Sequence, residues 1–385
     1  MNAPASKQRP NNMQSHGDDA TRRIVLVAPV PPPYGGMALQ ALLLARLLRQ
    51  DGYEVVVFAS NFSFPASLCL LEKLPVLRTI ARAIMIWPKL WKCTARAEVV
   101  HVLAASWLYF FLVVYPAGIV ARLRGARFIL NYRGGEAERF FRYFGWAAQP
   151  IFRVAHAVTA PSAFLAGPIR KHFAVAVSIV PNVLDGLAFQ FRTRLTIQPR
   201  MLVTRHLETI YGVETVLKAF RLVQERYPEA SLWIAGTGTQ EETLRKLARE
   251  WNLMNIRFLG RVEHSRLPEI YDQCDILLNA STVDNFPGAL VEGSAAGLVV
   301  ISTNAGGIPF VYEHRRSALL VEPGDWEGLA GAIEEVLRTP SLAANIIAEG
   351  AAIARACDWA DVRKPLYLCY GFPDKMRNGI QCIAG

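Results

Sequence analysis

The chain has 385 residues, 52% of them hydrophobic and 19% charged, with a formal net charge of +10; that length exceeds one ordinary core, makes two domains the expectation and, with this composition, excludes a disordered chain. Residues 1–192 hold 22 Lys/Arg against 9 Asp/Glu, a balance of +13, and residues 193–385 hold 20 against 23, a balance of −3. A basic first half points to an anionic partner (phosphorylated lipid, membrane surface or nucleic acid), and with no RNA-binding aromatic motif, zinc finger or helix-turn-helix signature nucleic acid is the least supported.

Residues 1–21 are polar and lack an apolar run of signal-peptide type, so a disordered tail without a secretory signal is the expectation. A β-branched strand over 24–28 leads into Pro29-Val-Pro31-Pro32-Pro33-Tyr34-Gly35-Gly36, a helix over 37–49 and a strand over 53–59, which is a βαβ unit. Over 68–96, apolar residues such as Leu77, Ile80, Ile84, Trp87 and Trp91 mix with Lys73, Arg78, Arg82, Lys89, Lys92 and Arg96, and Pro75 and Pro88 divide the stretch into short pieces. Two readings stand level there: a face lying on anionic lipid, or a solvated surface helix. Residues 102–121 carry no formal charge over twenty positions, enough to span a bilayer. Pro116 and Gly118 interrupt that run, Ser106, Tyr109 and Tyr115 add polar atoms, and strands flank it at 97–103 and 128–132. A buried crossover helix is the favoured reading. Further strands are expected at 157–160 and 177–180, the last closed by Pro181-Asn182.

A second series of alternating elements begins with a strand at 201–204 and a helix at 213–225. Strands follow at 231–235, 256–259, 276–279, 299–303 and 318–321, and helices at 240–251, 265–272, 287–296 and 326–338. Strands alternating with helices in both halves predict an α/β protein of two doubly wound, Rossmann-like domains, 22–190 and 191–355, with a linker near 184–200 and a tail at 356–385.

Function in such sheets gathers at strand ends, where helix N-termini converge. Gly35-Gly36 follows the first strand and opens a helix, so its backbone can approach a diphosphate; the competing reading is a plain tight turn. Arg205 follows the first strand of the second domain, either to clamp a phosphate or to pair with Glu208 at the surface. Asp284 and Glu292 bracket Pro287. Glu292 can accept hydrogen bonds from the two hydroxyls of a ribose, or be a solvated helix residue; Asp284 can cap the helix instead. Gly306-Gly307 forms a tight turn after the 299–303 strand. Arg133 and Glu136 end the 128–132 strand, facing a ligand from the first domain or forming a local ion pair. Six cysteines, at 69, 93, 274, 357, 369 and 382, show no Cys-x-x-Cys pairing and no His cluster, so core thiols are expected rather than metal ligands. Asp272 and Asp275 flank a helix–strand junction and are not expected to bind a metal.

Taken in order, Pro33-Tyr-Gly35-Gly36, Ala160-Pro161-Ser162, Val180-Pro181-Asn182, Ala235-Gly236-Thr-Gly238, Phe258-Leu-Gly260-Arg261, the 284–292 segment, Gly306-Gly307-Ile-Pro309 and Pro323-Gly324-Asp325 resemble the motifs of the retaining GT-B glycosyltransferases of family 4. The resemblance runs over roughly 22–370 and is strongest across 200–335. It implies a nucleotide-diphosphate sugar held mainly by the second domain through Arg205, Gly236, Gly238, Arg261, Asp284, Glu292, Gly306 and Gly307, with Gly35 and Gly36 reaching it from the first domain. It implies an acceptor, lipid-linked or polysaccharide, on the first domain beside Arg133 and Glu136, and a last helix that crosses back to that domain. Glu292 matches the second Glu of the family's Glu-x7-Glu motif, which reads the ribose. Asp284 stands at the first Glu, one methylene shorter. Arg205 matches the diphosphate-clamping Arg, but the usual Lys is Tyr211, ahead of Gly212, and a cleft His is replaced by Arg133. Catalysis through Arg205, Asp284 and Glu292 by front-face displacement, without metal or cofactor, is what the resemblance implies; the basic first domain adds the expectation of peripheral attachment to the inner face of the cytoplasmic membrane. A non-catalytic nucleotide-sugar-binding subunit is the alternative motivated by Tyr211 and Arg133; a sugar-nucleotide epimerase fits the C-terminal motifs poorly.

Overall fold

The computed structural model describes residues 22–32, 35–64, 74–186 and 188–372. The expected tail at 1–21, Pro33 and Tyr34 of the first loop, Lys73, Cys69 and Cys382 lie outside them. The chain builds two six-stranded, all-parallel sheets.

The first sheet takes β1 (Arg23–Ala28), β2 (Glu54–Ala59), β3 (Val99–Ala104), β4 (Arg127–Tyr132), β5 (Ala157–Ala160) and β6 (Val177–Ile179), in the spatial order β2-β1-β3-β4-β5-β6. Its helices are α1 (Gly36–Gln50), α2 (Pro75–Cys93), α3 (Tyr115–Leu123), α4 (Ala137–Val154) and α5 (Ala163–His172). The second sheet takes β7 (Arg200–Thr204), β8 (Ser231–Ala235), β9 (Ile256–Gly260), β10 (Ile276–Asn279), β11 (Val299–Thr303) and β12 (Leu319–Val321), in the order β12-β11-β10-β7-β8-β9. Its helices are α6 (Val213–Arg226), α7 (Glu241–Glu250), α8 (Leu267–Gln273), α9 (Gly288–Ala295), α10 (Trp326–Arg338) and α11 (Pro340–Ala356); α12 (Trp359–Tyr370) follows. The central strands are continuous β-branched and aliphatic runs because helices cover both faces of a parallel sheet; every residue of β3 and β11 is buried.

The first residues of the charge-free run at 102–121 complete β3, and the expected crossover helix follows without a break over 108–123, passing through a π-helical turn at Phe110–Val114 into α3, with Phe110, Val114 and Ala117 fully buried. Among the described residues, no helix is long and apolar enough to cross a membrane.

The prolines at 75 and 88 do not divide their stretch into pieces. α2 is one helix: Pro75 sits in its first turn, where a missing N–H costs nothing, and Pro88 lies on an exposed position inside it. Of the cysteines, Cys274, Cys357 and Cys369 are buried free thiols and Cys93 is partly buried.

α12 lies against the first sheet, although it follows the elements of the second domain. Val362, Leu366, Tyr367 and Tyr370 pack in one cluster with Ile24, Leu26, Val99 and Ile129. Asp51, just after α1, accepts hydrogen bonds from Trp359 Nε1 (3.0 Å) and Tyr367 Oη (2.5 Å).

Candidate functional site

The site is built where β7 and β10 end. Apolar residues run through 201–203 of β7 and 276–278 of β10, and polar ones follow at once. Arg205 leaves β7 and donates Nε to Asn279 Oδ1 at the end of β10, 2.9 Å away, while a second guanidinium nitrogen meets the Asp284 carboxylate. Asn279 is fixed in turn by donating to Ser302 Oγ (2.9 Å) and accepting from Ser281 Oγ (2.6 Å). The pair is mostly shielded from water, so its charge-assisted bonds hold the guanidinium in one orientation.

Glu292, on α9, joins the same strand end by another route. Tyr271 Oη donates to Glu292 Oε2 (3.0 Å), which leaves Thr204 Oγ1 as the donor to Tyr271 Oη (2.8 Å). Tyr271 is fully buried. Burial pushes the Glu292 carboxyl above its ordinary range, against the opposing pull of His264, Tyr271 and Arg205.

The glycines allow the loops to close on one another. A Cβ on Gly236 would fall 1.9 Å from the Arg205 carbonyl, and one on Gly238 2.4 Å from that of Leu207. Gly306, with φ +55°, lets its backbone come against the Asp284 carbonyl, where a Cβ would sit at 2.2 Å. Gly307 N donates to Asp284 O at 2.7 Å. The Gly306-Gly307 turn therefore seats the backbone that carries Asp284.

One residue bolts this loop to the first domain. Asn285 Nδ2 donates to the Arg133 carbonyl (3.4 Å), Ser162 Oγ donates to Asn285 O (3.3 Å), and Gly135 has no Cβ where Asn285 packs. Phe164 and Phe310 meet alongside, with ring centroids 5.6 Å apart.

Arg133 donates to Asn131 Oδ1 (3.2 Å) and Asn182 Oδ1 (2.7 Å). Burial lowers its pKa to about 10. It does not pair with Glu136, which accepts from Trp107 Nε1 (2.6 Å) and from Arg139 (3.4 Å).

These contacts bear on the structural alternatives alone. Arg205 is not a surface partner of Glu208, which binds Thr239 instead. Asp284 does not cap α9; Pro287 occupies the cap position. Glu292 is partly buried rather than solvated. Tyr211 stands 5.5 Å from the Arg205 guanidinium, ring centre to carbon, so the position taken by Lys in the family is an aromatic face against that cation.

The structure thus brings Arg205, Asp284, Glu292, Gly236, Gly306 and Gly307 into one cluster, with Gly238 on the adjoining loop and Arg133 one residue away through Asn285. Gly35 and Gly36 stand at the N-terminus of α1, with open space where a Cβ on either would be. Glu136 precedes α4, and Arg261 is exposed just past the edge strand β9. Sequence reasoning missed Thr204, Tyr271, Asn279 and Asn285. Asn279 left a signal, as the polar residue that ends an apolar strand; the others are joined only by the fold. Among the described residues, no three His, Cys, Asp or Glu side chains are grouped to hold a metal.

Two family models divide the chain between them: the one described as Glycosyltransferase Family 4 matches residues 34–185, and the one described as Glycosyl transferases group 1 matches 190–352. The chain belongs to glycosyltransferase family 4. A glycogen synthase of Mycobacterium tuberculosis is 27% identical over 268 residues, 64% of this chain and 62% of the relative. A GDP-mannose-dependent phosphatidylinositol monomannoside mannosyltransferase of the same organism is 28% identical over 245 residues, 56% of this chain and 62% of the relative. The chain thus spans less than two thirds of the length of these relatives. Among solved structures, HepE of Anabaena in complex with UDP and glucose superposes with a TM-score of 0.69 at 17% identity, covering 91% of this chain and 99% of that one. Sucrose-phosphate synthase of Thermosynechococcus elongatus gives 0.67 at 19%, covering 91% and 98%. These likenesses show the fold: the chain has the GT-B arrangement of two Rossmann-like domains.

Proposed function

We propose that this family 4 enzyme is a retaining glycosyltransferase that moves a sugar from a nucleotide-diphosphate donor to a lipid-linked or polysaccharide acceptor in cell-surface glycan synthesis, at the inner face of the cytoplasmic membrane. The observation that carries the reading is the cluster at the end of β7, where one strand end holds Arg205 against Asp284 and reaches Glu292 through Thr204 and Tyr271. That arrangement suits a nucleotide sugar, with a carboxylate as acceptor for ribose hydroxyls and a fixed guanidinium for the diphosphate.

In this proposal the acceptor hydroxyl attacks on the face from which the diphosphate departs, and no enzyme nucleophile forms. Catalysis is electrostatic support of the departing diphosphate, supplied by Arg205 and by the amides at the Gly35-Gly36 helix start. Asp284 neutralises part of the Arg205 charge, and Tyr211 adds none. Arg133, which binds two asparagines rather than a carboxylate, supplies the missing positive potential from the first domain. The reading includes no metal or cofactor.

Incubation of purified protein with UDP-, GDP- and ADP-sugars, with and without lipid-linked and oligosaccharide acceptors, tests the proposal. Donor turnover is expected in wild type and is expected to fall at least about a hundredfold in Arg205→Ala and Glu292→Ala. The product should keep the donor's anomeric configuration by NMR. Binding of nucleotide sugar without turnover under any of these conditions would defeat the enzymatic proposal, and inversion would defeat the front-face mechanism.

A further inference from the structure

α2 has two apolar stripes and only one of them is used. Ile86 and Leu90 are buried against the first domain. On another side Leu77, Ile80, Ile84, Trp87 and Trp91 recur at three- and four-residue spacing and all face solvent, Ile84 with 66% of its surface exposed. An ordinary surface helix turns charge outward; this one turns out isoleucine and tryptophan.

The exposed stripe continues onto its neighbours. Ile80, Ile84 and Trp87 face Leu108 and Leu112 across a groove of about 470 Å³ whose lining is almost wholly apolar. Leu108 is 58% exposed, and Leu123 at the end of α3 67%. Monomers rarely leave a contiguous apolar surface of this kind uncovered.

Charge identifies the cover. α2 carries Arg78, Arg82, Lys89 and Lys92 and no acidic residue. Arg124 reaches in from the end of α3, lying 3.8 Å over the Trp91 ring and donating to the Trp91 carbonyl at 2.8 Å. Apolar side chains and tryptophans bordered by the cations of α2 and by Arg124 complement a bilayer with anionic headgroups: hydrocarbon takes the stripe, and phosphates take the lysines and arginines. A protein partner would need an equally apolar and acidic face.

We infer that the outer face of α2, with the groove it shares with Leu108 and Leu112, is the surface by which this enzyme lies on an anionic bilayer. The inference rests on the proposed membrane-side glycosyl transfer and gives it a place. α2 descends from the end of β2 to the start of β3, so its first turns lie at the same edge of the sheet as Gly35 and Arg133. Leu108 and Leu112 follow the end of β3 at that same edge. A bilayer on this surface therefore reaches the rim of the cleft, where the head of a lipid-linked acceptor has only to cross the headgroup layer.

The test uses the full chain and vesicles of phosphatidylglycerol or of phosphatidylcholine in a flotation assay, with light scattering for the oligomeric state and donor hydrolysis as a separate readout. Wild type is expected to bind the anionic vesicles selectively, less tightly as salt rises. Ile80→Glu/Ile84→Glu should lower that affinity on the order of a hundredfold. Lys89→Gln/Lys92→Gln should lower it about thirtyfold. Both double variants should hydrolyse donor as wild type does, because these positions are far along the chain from Arg205 and Glu292 and on the other sheet. Failure of wild type to bind anionic vesicles would overturn the inference. So would a dimer that Ile80→Glu/Ile84→Glu dissociates, since the face would then cover a second copy. Vesicle binding without any donor turnover would leave this surface standing and remove the enzymatic proposal instead.

Discussion

Glu292 is held in a state that a ligand can change. Its carboxyl is raised by burial, and Tyr271, Arg205 and His264 offset this only in part. A raised carboxyl means the folded protein keeps this proton at a pH where the unfolded chain has lost it. That stabilising contribution is present below the unfolded value of 4.5 and is lost as pH rises through the folded pKa. Sugar hydroxyls donating to the carboxylate favour its charged form, so donor binding releases the proton. The affinity for a nucleotide-diphosphate sugar, whose own phosphates do not titrate in this range, should therefore fall as pH drops from 7 toward 4.5. Calorimetric titration should show that slope in wild type and a weaker, nearly flat affinity in Glu292→Gln, which keeps the shape and loses the titration. A slope unchanged in Glu292→Gln would place the titrating group elsewhere.

At the scale of elements, the helices that carry the site are anchored from the linker. Arg192, Arg194 and Arg200 converge on the buried carboxylate of Asp275, at 3.0, 3.0 and 2.8 Å. Arg194 also donates to the carbonyls of Tyr271 (3.3 Å), Cys274 (2.7 Å) and Ala296 (2.6 Å), which closes the C-terminal ends of α8 and α9. Those two helices bring Tyr271 to Glu292. Asp275→Ala removes the carboxylate that the buried Arg194 pairs with, and should cost about 3–5 kcal/mol in urea unfolding. Asp275→Asn, which keeps one acceptor oxygen and the side-chain volume, should cost less. Equal losses would mean that volume rather than charge holds the linker. None of this was readable beforehand: the sequence shows Asp275 only as a residue before a strand, and the three arginines only as scattered charges. The strands at 276–279 and 299–303 and the helix at 326–338 were readable to the residue, because apolar runs there are bounded by Gly, Pro or Asp. α4, α5 and α11 were not placed, and each has an interior Gly or Pro that breaks the helical signal. Packing explains one of these: a Cβ on Gly350 of α11 would meet Ser294 Oγ of α9 at 2.9 Å. Asp284 and Glu292 were legible as a spaced pair. Their tie to Thr204 and Tyr271 was not, because it exists only once β7, α8 and α9 are assembled.

For the whole molecule, the decisive link is the return of α12 to the first sheet. Among the described residues the chain passes between the domains twice, and the passages touch, with Leu184 N donating to Cys357 O at 2.8 Å. α12 then covers the first sheet and sets Tyr370 Oη 2.7 Å from Nδ1 of His101 on β3. His101 is wholly buried and its Nε2 has no partner. Burial, with a smaller push from Arg133, lowers its pKa to about 3. An unfolded histidine takes up its proton near 6.5, whereas the folded one does not until about 3. Between those values the unfolded chain binds the extra proton, so stability falls as pH drops through that window. From pH 6.5 to 4.5 the loss assignable to His101 should be about 2–3 kcal/mol. The measurement is urea unfolding at both pH values, in wild type and in His101→Gln, whose amide does not titrate. Carboxylates contribute to both proteins alike, so the difference between their pH slopes isolates the histidine. The variant is expected to be less stable at pH 7.5, where it disturbs the contact with Tyr370, yet to lose less on acidification. Equal slopes would mean that His101 is hydrated in solution and that α12 does not seal the first sheet.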